Sequence, residues 1–347
     1  MEQERGAALL MALLLAILVA VLASGMMQDE QRRVKLLENQ RVRDEAEQMG
    51  VGALDWARLI LREDLLHTGA VDHLGEVWAV PITDIPLESV TGGGGASGIR
   101  LSGRILDAQS RFNLMSLVKV ANLGADQGWV GATAIDPDGV AVFQRLLQSL
   151  GLDPAVAPAI AAQILASRST ALPPSGPTST PDPFPARQIT DQSTGAPLPL
   201  GIVSEVRTWF PDADAATLAR LESCLVILPH PTQVNANTAS ASVLGAVLGV
   251  DPGTLTGLLQ GRQQQVFSDT ADLQRRVNTL LPNLGSFPSS QLGVSSDYFW
   301  VVEELRRPGA VQRRQALVAR HQGVGQMTQV LEWHRGWTPG MDLTGGG

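Results

Sequence analysis

An apolar run near the N-terminus, which continues without a break into an amphipathic pattern, constrains the fold of this chain most strongly. The run extends from Ala7 to Met27 and is interrupted only by Ser24 and Gly25. It is just long enough to cross a bilayer, since a spanning helix needs about 20 residues. Apolar side chains then recur at helical spacing between charged ones, at Val34, Leu37, Val42, Ala46, Met49 and Ala53. The pattern predicts one helix over residues 7–66, roughly 90 Å long.

Three interpretations of residues 1–27 are open. Ala23-Ser24-Gly25 could end a secretory signal peptide, although the single Arg5 makes a weak basic region. The run could also be an uncleaved signal anchor. In the third interpretation a leader ends at Gly6 and the apolar helix stays on the mature chain. The third is favoured, because no linker follows Met27 and the helical pattern resumes at once.

Composition limits the classes of function. The formal net charge is -8, with 34 acidic and 26 basic residues. Such a chain is a poor nucleic-acid binder, because phosphate affinity needs clustered Lys and Arg. One cysteine, Cys224, excludes a disulfide within the chain. The five histidines form no metal-protease or spaced zinc pattern, and no G-x-S-x-G is present. Nothing in the sequence supports catalysis.

The rest of the chain predicts a sheet that is interrupted by a helical segment. Apolar and polar residues alternate over residues 99–105, which predicts a strand, and residues 298–335 are predicted to form three further strands. Residues 66–98 are predicted to form a loop. Residues 141–281 are mostly helical in pattern, with a Pro-rich stretch at 172–199. Leu-Gly-aliphatic-Asp-Pro occurs twice there, at 150–154 and 248–252, which predicts two helical hairpins. The expected fold is α+β, a long helix packed on an antiparallel sheet with a large all-α insertion between strands.

Two local patterns could bind a ligand. Residues 234–262 resemble a helix-hairpin-helix unit of DNA-binding proteins, but the hairpin carries Asp251 and lacks a basic cluster. A packing role is therefore favoured over DNA binding. Asp136-Pro137-Asp138-Gly139 resembles the start of a calcium loop without its terminal Glu. Asp136 and Asp138 are weak calcium candidates, and a polar turn is the favoured interpretation.

The N-terminus carries a specific family resemblance. Arg5-Gly6-Ala7-Ala8-Leu9-Leu10-Met11 is similar to the processing site of type IV pilins and type II secretion pseudopilins. Further landmarks resemble the protein K family of minor pseudopilins, and together they extend over nearly the whole chain. These landmarks are residues 102–114, 197–207, 234–239 and 296–305.

The resemblance implies an organisation and a function. A prepilin peptidase would cut between Gly6 and Ala7 and methylate Ala7, and the apolar Met11 would stand where most pilins have Glu. An unpaired carboxylate in hydrocarbon is costly, so the subunit without an earlier neighbour favours an apolar residue there. The expected segments are a leader at 1–6, a helix at 7–66 with its membrane part at 7–27, a split head at 67–111 and 296–336, an insertion at 112–295 and a tail at 337–347.

The same resemblance implies partners and a location. The chain would sit in the bacterial inner membrane as a single-pass protein with a periplasmic head, at the tip of the pseudopilus. Minor pseudopilins I and J, and also H, would pack on the stripe formed by Val34, Leu37, Val42, Ala46, Met49 and Ala53. The secretin channel or an exported substrate could be further partners, and calcium is a candidate ligand of the head. The alternative function is a membrane-anchored DNA-uptake receptor that uses the helix-hairpin-helix unit.

Overall fold

The chain divides into two compact units, Met1–Asp55 and Trp56–Gly347. The structure is a computed structural model, and it describes residues 2–67, 69, 71–86, 98–122, 129–169, 203–282, 284, 289–307, 310–321 and 327–336. The Pro-rich stretch at 172–199 and the tail at 337–347 lie outside the described residues.

The first helix, α1, extends over Glu2–His67 and belongs to both units. Within the first unit the described side chains of Val34 and Leu37 are exposed. Most side chains of the apolar run at 7–27 lie outside the described residues, and so do those of Gly6, Ala7 and Met11. Among the residues that the structure describes, no single helix is long and apolar enough to span a membrane, while one bent pair, Ala241–Leu248 with Pro252–Gln264, meets that criterion by length and composition only.

An antiparallel sheet organises the second unit. Within the described residues it has five strands in the order β1-β2-β9-β10-β11. Their bounds are Ile82–Pro86 for β1, Arg100–Asp107 for β2, Tyr298–Arg307 for β9, Ala310–Arg320 for β10 and Thr328–Arg335 for β11. The middle strand β9 is buried on both faces over most of its length. Strands from before residue 112 and after residue 295 thus pair directly, and the prediction of a mixed fold with an antiparallel sheet is confirmed.

The last part of α1 packs on this sheet. Ala57 and Leu61, one helical turn apart, are buried on the same face of α1. On a neighbouring face, Arg58 Nη2 donates to the carbonyl oxygen of Thr328, at the start of β11, over 3.0 Å. Trp78, in the connection after α1, packs edge-to-face on Phe299 of β9 with ring centroids 5.2 Å apart. The helix end and its following loop are thereby fixed on the sheet.

The segment between β2 and β9 is mainly helical. Its helices are α2 (Pro137–Ser149), α3 (Ala157–Ser169), α4 (Ala215–Cys224), α5 (Ala241–Leu248), α6 (Thr256–Gln264) and α7 (Thr270–Leu280). Apolar faces of α2, α3 and α5 form one continuous buried cluster, which includes Phe143, Ile160 and Val247. Short strands also occur in this segment, at Phe112–Asn113 (β3), Val118–Asn122 (β4), Trp129–Ile135 (β5), Leu225–Val226 (β6), Val234–Asn235 (β7) and Leu292–Gly293 (β8).

The repeated Leu-Gly-aliphatic-Asp-Pro sequence forms the same turn twice. Gly151 and Gly249 have φ of 74° and 73°, a left-handed conformation that favours glycine after a helix. Asp153 and Asp251 then accept hydrogen bonds from the backbone nitrogens of Ala155 and Gly253 and cap the next turn. In both places one helix precedes the turn and another follows it.

Two sequence predictions were wrong. The segment predicted as loop at 66–98 contains β1, and the insertion predicted as all-α contains the hairpin of β4 and β5. Both pairings are irregular: β1 has a register shift between Ile82 and Ile85, and β4 has two. Such bulged strands break the strict alternation on which strand prediction depends.

Candidate functional site

A buried group of polar side chains joins the helix end, the sheet and the helical segment. We call Asp64, Asp72, Asp107, Asn235, Ser296 and Arg320 the polar junction. All six are buried, although charged residues rarely are unless they are paired. They come from α1, the loop after it, β2, β7, the short connection between β8 and β9, and the end of β10. The junction therefore connects parts of the chain that are far apart in sequence.

Arg320 is the cation of the polar junction. Its Nη1 donates to Asp64 Oδ2 over 2.8 Å, and its Nη2 donates to Asp72 Oδ1 and to the carbonyl oxygen of Ser296. The guanidinium also lies over the ring of Phe299, 4.6 Å from its centroid. A planar guanidinium with donors on both sides is suited to hold two carboxylates in this way.

Asp107 and Asn235 connect the sheet to the helical segment. Asp107 Oδ2 accepts hydrogen bonds from Ser296 Oγ, Thr238 Oγ1 and Asn235 Nδ2, and its Oδ1 caps a short turn by accepting from the Gln109 nitrogen. Asn235 Nδ2 also lies 3.1 Å from the carbonyl oxygen of Asp72. One amide group thus contacts two of the three acidic residues of the junction, Asp72 and Asp107.

Glu76 lies beside the polar junction. Its Oε2 accepts from Trp78 Nε1 over 2.6 Å and from the His73 nitrogen over 2.9 Å. One carboxylate oxygen from each of Asp64, Asp72 and Glu76 falls within 4.8 Å of the others. Three carboxylates therefore converge where α1 ends and the following loop begins.

Burial shapes the electrostatics of this region. It raises the pKa of Asp72 to about 7, because desolvation outweighs the attraction of Arg320. Burial also raises the pKa of Asp107, although four hydrogen bonds favour its charged form. On the sheet, the pKa of Glu303 is raised to about 7, since desolvation exceeds the attraction of Arg314. These shifts accompany a buried network of ion pairs and hydrogen bonds.

The structure gives Asp136 and Asp138 a role in capping. Asp136 is the N-cap of α2 and accepts from the Asp138 nitrogen over 3.2 Å, while Asp138 lies in the first helical turn. Gly139 is required there, because an added Cβ would lie 1.8 Å from the carbonyl oxygen of Ser116. The favoured interpretation as a polar turn agrees with this geometry, and calcium binding at the pair stays a prediction.

The arginine of the helix-hairpin-helix unit, Arg262, is half-buried. Arg262 Nη1 donates to the carbonyl oxygens of Ala236 and Ala239, over 2.8 and 2.6 Å. Arg145 donates similarly to the carbonyl oxygens of Ala246 and Val247 near the end of α5. Both guanidinium groups therefore donate to backbone carbonyl oxygens within the protein. The alternative function of a DNA-uptake receptor receives no support.

The predicted partner stripe on α1 is described only in part. Val34 and Leu37 are 49% and 64% exposed. Met49 and Ala53 are half-buried, and the side chains of Val42 and Ala46 lie outside the described residues.

The sequence had not indicated the polar junction as a site, although its residues Asp107, Asn235 and Ser296 fall inside the family landmarks. The signal that could have found it is the polar run Asn235-Ala236-Asn237-Thr238 within an apolar neighbourhood.

Comparisons with known proteins agree with this fold. Two family models, both described as type II secretion system (T2SS), protein K, match residues 110–230 and 234–295 and together cover just over half of the chain. The type II secretion system protein K of Pseudomonas aeruginosa is 28% identical over 326 residues, which cover 91% of this chain and 88% of that protein. A chain in the crystal structure of the GspK-GspI-GspJ complex from enterotoxigenic Escherichia coli has a TM-score of 0.59 at 21% identity, and the match covers 86% of this chain and 100% of that one.

The fold and these matches define a component of the bacterial type II secretion machinery, and the chain belongs to its protein K family. It is accordingly a minor pseudopilin that takes part in protein transport. The family is a structural component of the secretion system, which agrees with a buried ion network that holds segments together.

Proposed function

We propose that this minor pseudopilin starts and caps the type II secretion pseudopilus at its tip. The observation that carries the proposal is the family match combined with Met11, the apolar residue at the position where most pilins have Glu. A first subunit has no earlier neighbour whose amine could neutralise a carboxylate, so an apolar side chain is the favourable choice. The helical segment would then cover the end of the filament.

The proposal includes processing and anchoring. A prepilin peptidase removes residues 1–6, and Ala7 becomes the methylated first residue. The apolar part of the helix holds the chain in the inner membrane, with the head in the periplasm, until the subunit enters the filament. A pilin-like arrangement, in which the long helix lies on the sheet, is supported by the burial of Ala57 and Leu61 and by the contact of Arg58 with Thr328.

The partners follow from the similar structure, in which a chain of this fold assembles with GspI and GspJ. We extend this assembly to the present chain: the corresponding minor pseudopilins I and J pack on α1 through the apolar stripe from Val34 to Ala53. Pseudopilin H, the secretin and an exported substrate are further contacts of the tip. No catalytic role is assigned.

Secretion by a strain that lacks its own protein K tests the proposal. The wild-type gene restores export, and Edman sequencing of the mature protein begins at methylated Ala7. Met11→Glu strongly reduces export, because the new carboxylate has no partner in the membrane. The matched variant Met11→Leu keeps an apolar residue and restores export as well as the wild type does. Equal export by both variants would contradict the tip assignment, and a mature start after residue 23 would contradict the leader.

A further inference from the structure

One end of the sheet carries arginines on the face that points away from α1. Arg320 contacts α1, and the side chains of a strand alternate between its two faces, so Val311 and Arg313 of β10 point to the opposite face. Arg306 of β9 lies directly opposite Val311, and Arg100 of β2 lies directly opposite Arg306. We call Arg100, Arg306, Arg313 and Val311 the arginine patch.

The arginine patch has the layout of a protein interface. Val311 is 50% exposed, although valine is among the residues that are most often buried. The side chains of Arg100, Arg306 and Arg313 around it are 45%, 62% and 54% exposed. Interfaces commonly have an apolar centre within a polar rim, and arginine is enriched among the residues that contribute most to binding. The patch is thus suited to contact another protein.

The charge that the patch presents to solvent is positive. Glu304 Oε1 accepts from Arg306 Nη2 over 2.6 Å and its Oε2 from Arg313 Nε over 2.9 Å, but this side chain is only 5% exposed. Asp84 accepts from Arg100 Nε, and its carboxylate is half exposed. Of these five side chains, three guanidinium groups and one carboxylate therefore reach the surface. On a chain with a formal net charge of -8, such a basic surface favours an acidic partner.

The arrangement is unfavourable for the chain alone. Like charges directly opposite each other on neighbouring strands destabilise a sheet, and Arg100 faces Arg306 in this way. Arg306 has five N–H donors, and its bond to Glu304 uses one of them. Departures from favourable charge placement are expected at functional sites. A carboxylate of a partner that binds both guanidinium groups would offset their repulsion.

The other end of the same sheet face is covered by the helical segment. Trp300 of β9 points to the same face as Arg306, and it belongs to one buried cluster with Val226 and Leu228 of the helical segment. Six residues of β9 separate Trp300 from Arg306, a distance of about 20 Å along the strand. The helical segment therefore packs at one end of this face and leaves the arginine patch at the other end to a separate protein.

We propose that the arginine patch binds an acidic surface on the head of a neighbouring minor pseudopilin, I or J. Carboxylates of that head contact Arg100, Arg306 and Arg313, and an apolar side chain covers Val311. The proposal rests on the assembly with I and J proposed above, and it adds a contact between heads to the packing of helices. Because the contact depends on exposed charges, it weakens as the salt concentration rises.

Photo-crosslinking in secreting cells tests which protein covers the patch. We expect benzoylphenylalanine at Val311 to crosslink to I or J. Leu280 of α7 is the matched control, because it is 49% exposed and lies in the helical segment, and the same probe there gives no crosslink to I or J. Crosslinks from Val311 only to a second copy of this chain or to an exported protein would overturn the proposal. Equal crosslinks to I or J from both positions would also overturn it.

Binding of purified full-length variants in detergent to immobilised I and J measures the contribution of charge. We expect Arg306→Glu to raise the dissociation constant about tenfold or more, and Arg306→Lys to stay within about threefold of the wild type. Glu304 keeps its bond to Arg313 in both variants, and thermal unfolding midpoints close to that of the wild type confirm that they fold. Arg275→Glu reverses an exposed charge in α7 and keeps the wild-type affinity.

The outcomes separate this proposal from the proposed function. Wild-type affinity in Arg306→Glu, or an equal loss of affinity in Arg275→Glu, overturns the arginine patch as a docking surface, while assembly with I and J still stands. If the wild type itself does not bind I or J, the proposed function fails, and the docking surface fails with it.

Discussion

Arg320 shows at the scale of one residue how the fold is held together. Its guanidinium contacts Asp64 of α1, Asp72 of the following loop and the carbonyl oxygen of Ser296 before β9. A buried ion pair contributes modestly to stability compared with an apolar replacement of the whole group, but removal of one partner leaves an unpaired buried charge. The junction is thus sensitive to loss of a single member.

Replacement of Arg320 by methionine tests this sensitivity. Arg320→Met leaves Asp64 and Asp72 buried without their cation, and we expect the free energy of unfolding to fall by roughly 3–5 kcal/mol. Arg275→Met is the matched control, because Arg275 is largely exposed and its pair with Asp272 is expected to contribute less than about 1 kcal/mol. Chemical denaturation measures both variants, and similar losses in the two would show that the junction has no special role.

Glu303 makes the stability depend on pH. Its pKa is about 7 in the folded protein and near the ordinary 4.5 in the unfolded chain. Between these values the folded state holds a proton that the unfolded state lacks, so the stabilising contribution is complete at acidic pH and is lost as pH rises through about 7. Asp72 has the same sign of shift.

The variant Glu303→Gln isolates this contribution. It cannot titrate, so we expect the decline in unfolding free energy between about pH 5 and about pH 7 to become less steep, by up to about 1.4 kcal/mol per pH unit. The decline due to Asp72 remains in the variant. Denaturant unfolding across this pH range measures the difference, and identical slopes for variant and wild type would exclude a raised pKa at Glu303.

At the scale of elements, helices and strands with a regular apolar pattern could be predicted from the sequence, and irregular strands could not. The strands β9, β10 and β11 and the helices α2 and α5 follow clear apolar patterns and were predicted. The short β1 was missed because its five residues include Asp84 with φ of 52° and end at Pro86. The polar junction was missed because its pairs join residues as distant as Asp64 and Arg320, and no local pattern encodes such contacts.

The two glycines Gly139 and Gly257 differ in what surrounds them, although both lie in helices. We expect Gly139→Ala to destabilise the protein by more than about 2 kcal/mol, because the new Cβ meets the backbone of Ser116. At Gly257 in α6 nothing lies within 4 Å of an added Cβ. Gly257→Ala should therefore be neutral or stabilise by up to about 1 kcal/mol through helix propensity. Equal effects in thermal unfolding would contradict the close packing of the start of α2 on the backbone at Ser116.

At the scale of the second unit, the helical segment is inserted in the chain between β2 and β9, and these two strands still pair with each other in the sheet. Strands β2 and β9 are neighbours in the sheet, and the segment between them returns through Asn235 and Ser296 to the same buried junction. The helical segment is therefore fixed to the sheet by polar contacts as well as by chain connection. This segment is the part of the chain that we propose covers the end of the filament.

The most direct test of a tip minor pseudopilin is assembly with minor pseudopilins I and J of the same secretion system. The three full-length proteins are co-expressed, purified in detergent through a tag on the present chain, and weighed by native mass spectrometry. The account predicts one stable complex that contains one copy of each protein. Recovery of the present chain without I and J, under conditions in which all three are folded, would contradict it.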